Sequence, residues 1–230
     1  MIDQEGGAVT RLPESCINVP GSMALAATGD PETTYLAGKL TGEELRSLGV
    51  NFNLAPSVDV NCNPANPIIG VRSYGDTPAT VAKYAAGMIR GLQDGGVLCL
   101  AKHFPGHGDT AEDSHTGLAY SYRTVEKLAA CELLPFEAAA EVGPHAVMVG
   151  HIVVPELTGD VPASLSAEAI ALVPDAENTL IVTDSLAMGA ITDSYTPGEA
   201  AVQALQAGCD VLLMPDGLAD AYDAVLAAVQ

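Results

Sequence analysis

Short apolar runs rich in β-branched residues return along this chain with helix-length stretches between them, and this alternation limits the fold more than any other feature. The runs are "NFNLA" (51–55), "VLCLA" (97–101), "AVMVGHIVV" (146–154), "TLIVT" (179–183) and "DVLLM" (210–214). Each reads as a buried strand. The stretches between them carry helical periodicity with recognisable ends. "TPATVAKYAAGMIRGLQDGG" (77–96) places Pro78 in its first turn and closes on glycines, "TVEKLAACELLPFEAAAEVG" (124–143) is predicted to kink at Pro135, and "TPGEAAVQALQAGC" (196–209) repeats the form. Alternating strands and helices predict βα units around a parallel sheet, hence an α/β fold.

Polar residues gather directly after the strands, as "SVDVN", "KHFPGHGD", "GHIVVP", "TDSLAMG" and "MPDG". In a TIM (β/α)8 barrel those positions form the mouth where active sites are built. A doubly wound open sheet also puts sites at strand ends, usually with a Gly-rich phosphate turn. No such turn follows a strand here, and the glycines of "DQEGGAVTRLP" follow carboxylates. The TIM barrel is therefore the expected fold. The opening "MIDQEGG" reads as a strand end and its loop, which makes six strand ends where a closed barrel has eight. The expectation is an incomplete barrel lacking its first strands, with residues 1–230 as a single-domain fragment.

Composition narrows the partners. Nine Lys and Arg against 29 Asp and Glu give a formal charge of −20, a field that repels nucleic acid and anionic membrane surfaces. The five cysteines are scattered without a CxxC pair, so no disulfide framework is implied, and Cys99 and Cys209 sit among apolar residues as small hydrophobes. No apolar run is long enough to span a bilayer and no basic start precedes one, so no membrane segment is expected. The expected location is cytoplasmic. Secretion or the cell envelope stays open, because an absent start would have carried any leader.

The stretch "AKHFPGHGDTAEDSH" (101–115) concentrates the chemistry. Lys102 and His103 close a strand and are expected to point into the mouth, although such a pair also suits a plain surface. Asp113 and His115 stand two residues apart, a spacing that lets a carboxylate orient one imidazole nitrogen while the other faces a substrate. Asp184 follows four apolar residues in "LIVTDSLAMG" and reads equally as a mouth carboxylate or as a helix N-cap. Asp3, Arg11 and Arg72 offer one hydrogen-bonding carboxylate and two guanidinium forks, or turn and surface charges. His145 and His151 read as structural, with His151 close enough to a strand end to line the site.

"DQEGG", "NFNLAPSVDV", "GVRSYGD", "KHFPGHGD", "DSH" and "TDSLAMG", in this order, resemble glycoside hydrolase family 3, and within it the β-N-acetylhexosaminidase branch of the bacterial peptidoglycan-recycling type. The resemblance covers nearly the whole chain. It implies retaining hydrolysis of terminal N-acetyl-β-glucosaminides in peptidoglycan or chitin fragments on a TIM barrel. Asp184 resembles the nucleophile that forms the glycosyl-enzyme intermediate, His115 the general acid/base, and Asp113 the group that holds its tautomer. Asp3, Arg11, Arg72, Lys102 and His103 resemble binders of the sugar hydroxyls and acetamido group. Such hydrolysis usually employs two carboxyl groups. An unperturbed imidazole, titrating near about 6.5, can exchange protons near neutral pH without the burial a carboxylic acid needs.

The resemblance implies no cofactor, no metal and a small carbohydrate as partner. Two sequence departures stand out: Ala8 occupies a position where many relatives carry arginine, and "ALVPDAENTLIVTD" lacks the arginine and the Gly-Phe pair often found before the nucleophile strand. Other readings are phosphorolysis, with phosphate in place of water, and an inactive barrel fragment. A metal-dependent hydrolase built on His103, His107, Asp109, Asp113 and His115 is the remaining one.

Overall fold

The computed structural model of the protein describes residues 1–115 and 117–230. Four parallel strands form its main sheet: β1 (Phe52–Asn53), β2 (Leu98–Phe104), β4 (Ala146–Val149) and β6 (Leu180–Thr183), side by side in that order. Single bridges extend the sheet at both edges, Ile2 pairing with Asn53 and Val211 with Val182. Strand order in space thus follows strand order in sequence throughout, with every pairing parallel. That is the wall of a (β/α) barrel; a doubly wound sheet would reverse direction part-way. Among the described residues no ladder joins the Ile2 edge to the Val211 edge. A separate two-stranded parallel ladder pairs β3 (Ala119–Tyr120) with β5 (Ile152–Val153).

The helices follow from their end signals. In α3 (Pro78–Asp94) the Thr77 hydroxyl accepts from the Thr80 amide, with Pro78 in the first turn. In α9 (Pro197–Ala207) Thr196 and Glu199 form a reciprocal capping box, and Gly208 closes the helix at φ 112°, a conformation costly for any residue with a Cβ. The expected kink at Pro135 is instead a break. α4 (Val125–Ala130) ends at Cys131, and α5 (Leu134–Val142) starts afresh with Pro135 in its first turn, where a missing amide proton costs nothing. The run 146–154, expected as one strand, divides at Gly150 between the two sheets. Met214 and its neighbours contribute only the bridge at Val211.

A helix not foreseen from sequence, α2 (Pro31–Ser47), packs along α3 through small residues. A Cβ at Gly95 would stand 2.6 Å from the Lys39 carbonyl oxygen and one at Gly38 2.7 Å from that of Met88, while one at Gly91 would collide with the Tyr35 carbonyl. Only glycine lets the two backbones approach this closely. The remaining helices are α1 (Ser22–Ala26), α6 (Pro155–Thr158), α7 (Ala167–Ile170), α8 (Gly189–Thr192) and α10 (Leu218–Ala228). Among the described residues no helix is long and apolar enough to cross a membrane.

Alternation along the strands builds the site. Cys99, Ala101, Val147, Val149 and Ile181 belong to the core between sheet and helices. Phe52, Leu54, Leu100, Ala146, Met148 and Val182 form a second apolar cluster on the other face. Side chains two residues apart share a face. Two positions beyond Leu100 and Val182 come Lys102 and Asp184. The same face therefore turns from apolar floor to charged mouth at the strand ends.

Candidate active site

Above that floor lies a cavity of about 500 Å³, and Asp3, Arg11, Arg72, Lys102, His103, His115 and Asp184 all line it. Of the catalytic and sugar-binding residues that the family resemblance implies, only Asp113 stands back, behind His115. The N-cap role considered for Asp184 does not hold. Its Oδ1 accepts from the Ser185 amide at 2.7 Å, but α8 begins at Gly189 with no side-chain cap.

Three segments fix the cations. Lys102, 2% exposed, places Nζ 2.6 Å from Asp3 Oδ1 and 2.7 Å from Glu5 Oε1. Arg72 grips Glu5 with both arms of its fork, Nε to Oε2 at 3.0 Å and Nη2 to Oε1 at 2.7 Å. Burial would raise the Glu5 carboxyl, yet Lys102 first and Arg72 next hold it well below the usual carboxylate range. Lys102 correspondingly stays protonated: burial opposes its charge and Glu5 and Asp3 restore it. Arg11, more exposed, reaches only to 3.9 Å from Asp3. Gln4 knits this loop together, its Oε1 accepting from the Arg11 amide while its backbone exchanges hydrogen bonds with the Asn53 side chain.

The histidines of the site divide into those that line the cavity, His103 and His115, and those buried behind it. Asp59, fully buried, accepts from His103 Nδ1 at 2.7 Å and from the His107 amide at 2.7 Å. A carboxylate only accepts, so His103 carries its proton on Nδ1 and turns Nε2 to Arg72 Nη2, 3.3 Å away. Burial works against the Asp59 charge, and His103 with the His107 amide depress its pKa. His107 has no nitrogen free for substrate: Nδ1 meets Thr110 Oγ1 at 2.7 Å and Nε2 meets Ser114 Oγ at 2.9 Å. Burial, then His103, pull it down to about 4, so at neutral pH it is an uncharged post for the loop. His151 is likewise structural, completely buried between Ser164 Oγ and the Ser185 carbonyl.

That post presents the Asp113–His115 pair. Asp113 Oδ1 accepts both the His115 amide and His115 Nδ1 at 2.8 Å, leaving Nε2 for the cavity. Desolvation, the largest single influence on the Asp113 carboxyl, raises it, and the bonds from the His115 amide and ring together more than reverse that, so its pKa is depressed. The turn is pinned to the other half of the site, since the Gly189 and Ala190 amides donate to the His115 and Ser114 carbonyls. Asp184 lies across this junction. Burial raises its pKa, and His103, the Ser185 amide and Lys102 among its neighbours more than reverse that, so it is held as a carboxylate. An ionised carboxylate and an oriented imidazole on one cavity are the chemical types that can act as nucleophile and proton donor.

The fit of the whole chain to known proteins decides the family: residues 1–230 match the glycosyl hydrolase family 3 N terminal domain. The chain belongs to glycosyl hydrolase family 3. This family 3 domain is 38% identical to beta-hexosaminidase A of Pseudoalteromonas piscicida over 96% of its length, and 39% identical to beta-hexosaminidase LpqI of Mycobacterium tuberculosis over 92%. It spans 40% and 57% of those relatives. A solved family 3 beta-N-acetylglucosaminidase from Paenibacillus sp. str. FPU-7 superposes with a TM-score of 0.94 at 48% identity, covering 99% of this chain and 44% of that one. The α/β barrel architecture is thereby the family's.

Two anchors of the site escaped the sequence reading. Glu5 and Asp59 were visible only as polar residues after strand ends, and their partners lie tens of residues away in sequence. The metal arrangement considered for the His-rich loop does not assemble: His107 is engaged by Thr110 and Ser114 and Asp113 by His115. Among the described residues His103, His107, Asp109, Asp113 and His115 supply no converging group of three ligands.

Proposed function

We propose that the protein is a retaining β-N-acetylhexosaminidase that removes terminal N-acetyl-β-glucosamine from small carbohydrate substrates such as peptidoglycan or chitin fragments. The observation that carries this reading is the pairing on one cavity of the ionised Asp184 with a His115 whose Nδ1 is held by Asp113. The names of the relatives support the substrate class.

In the first step an Asp184 oxygen attacks the anomeric carbon while the glycosidic C–O bond breaks. The His115 imidazolium gives its Nε2 proton to the departing oxygen, and Asp113 stabilises the positive ring until then. In the second step neutral Nε2 takes a proton from water. The water oxygen attacks the same carbon, and the ester to Asp184 breaks with net retention. Lys102, Arg72 and Asp3, locked in one ion network, hold sugar hydroxyls, and His103, Arg11 and Met148 border the same space.

The test is chromophore release from an aryl N-acetyl-β-glucosaminide, with the aryl β-glucoside, the Asp184→Ala variant and added phosphate run in parallel. Selective release lost in the variant supports the reading. Release of a sugar phosphate in the phosphate lane would make the enzyme a phosphorylase, and equal release from the plain glucoside would overturn the substrate class.

A further inference from the structure

A second cluster of reactive side chains lies outside the sugar cavity, where the loop after β1, the end of α4 and the His-rich loop meet. Cys62 sits on the first, Cys131 closes α4, and Glu132 follows it. One ligand atom from each, two sulfurs and a carboxylate oxygen, all lie within 4.8 Å of one another. Cys62 Sγ is 3.4 Å from Glu132 Oε1. In a tetrahedral zinc site with Zn–S near 2.3 Å and Zn–O near 2.0 Å, a sulfur and an oxygen ligand stand about 3.5 Å apart. The separation already matches.

The polar bookkeeping of this cluster is incomplete without a further partner. Glu132 is 1% exposed, and its Oε2 has no hydrogen-bond partner. Arg123 Nε stands 2.8 Å from Glu132 Oε1 but off the N–H axis, an ion pair that leaves the Nε proton unsatisfied as well. A buried carboxylate oxygen with no donor is rare in a folded protein and calls for an explanation. Both sulfurs are only half-buried, which gives an ion a route in.

We propose that Cys62, Cys131 and Glu132 bind a thiophilic divalent cation of the zinc class, with water in the fourth position. Paired sulfur ligands select such ions over magnesium or calcium. Uptake releases the two thiol protons to solvent and involves no electron transfer. Two thiolates and a carboxylate bring three negative charges against the cation's two, and the Arg123 guanidinium, 3.1 Å from Cys62 Sγ and shared with Asp109, offsets part of the excess. The bound ion ties the β1 loop to the α4–α5 junction under the loop that carries His115. Gly106 leaves no room there for a Cβ, which would stand 2.6 Å from Glu132 Cβ, and Asp109 shares Arg123 at 3.2 Å. This site is independent of the glycosidase reading, because its test reads metal binding and not turnover.

The full chain, reduced and stripped with a chelator, is titrated with cobalt(II) and then zinc. The expected result is saturation at one equivalent, with a thiolate-to-cobalt charge-transfer band and ligand-field bands of tetrahedral strength, both erased by zinc. Cys62→Ser and Cys131→Ser lose the charge-transfer band, while Cys16→Ser keeps it. Zinc raises the Tm of the native chain and not that of Cys131→Ser. Absence of the band from the folded native chain would overturn the site, as would its survival in both the Cys62 and Cys131 variants.

Discussion

Acidification should loosen this domain through one buried histidine. The His107 imidazole is neutral in the folded chain because burial, then the neighbouring His103, pull its pKa from 6.5 to about 4. A gap of about 2.5 pH units, at about 1.36 kcal/mol per unit, corresponds to about 3 kcal/mol of stability. The sign follows from the depressed value. Above pH 6.5 neither the folded nor the unfolded state holds the proton and the stabilisation is complete. As pH falls from 6.5 toward 4 the unfolded chain gains a proton that the folded one refuses, and the stabilisation drains away. Because the chain has no tryptophan, unfolding in urea is best followed by far-UV circular dichroism, at about pH 7, 5.5 and 4.5. Native chain should lose about 2 kcal/mol more than His107→Gln across that window, the rest of the loss falling below pH 4.5. Parallel curves for the two proteins would refute the assignment of His107 as an uncharged post.

Three further outcomes follow from the geometry. Glu5→Gln removes the buried counter-charge of Lys102, leaving only the more exposed Asp3, and should cost up to about 3 kcal/mol in urea unfolding, part of which Lys102→Met on the same background restores. Gly91→Ala drives a Cβ into the Tyr35 carbonyl and should cost about 1–3 kcal/mol, read as a lower Tm, whereas Gly49→Ala, with open space around it, is limited to the smaller strain of its φ of 80°. His115→Ala should slow substrates with poor leaving groups by about 10² to 10⁴ and activated aryl glycosides much less. Equal losses on both would assign proton donation elsewhere.

The parts of the fold legible in sequence were those with strong local signals. The Thr196–Glu199 capping box and the Pro78 start mark α9 and α3 unambiguously, and apolar runs locate β2, β4 and β6. Helix α2 was hidden because Gly38, Thr41 and Gly42 occupy the buried face where a periodic pattern would show leucine or valine, although Asp30 and Pro31 offered a start signal. The break at Cys131 and the division at Gly150 depend on tertiary packing that no run of residues displays. For the site, the strand-end rule found Lys102 and Asp184, since parity with Leu100 and Val182 fixes the face they point to. It could not find Glu5 beneath Arg72 or Asp59 beneath His103. Those pairings join segments 67 and 44 residues apart in sequence, and the juxtaposition of Cys62 with Cys131 is of the same long-range kind.

The central claim is that Asp184 forms the covalent bond to sugar. The measurement that meets it most directly is mass spectrometry of the chain after incubation with a fluorinated N-acetylglucosaminyl fluoride that accumulates the glycosyl-enzyme, followed by peptide mapping. The expected result is a single adduct on the peptide carrying Asp184, absent from Asp184→Ala. An adduct on any other carboxylate, or a first-formed product of inverted anomeric configuration, would contradict it.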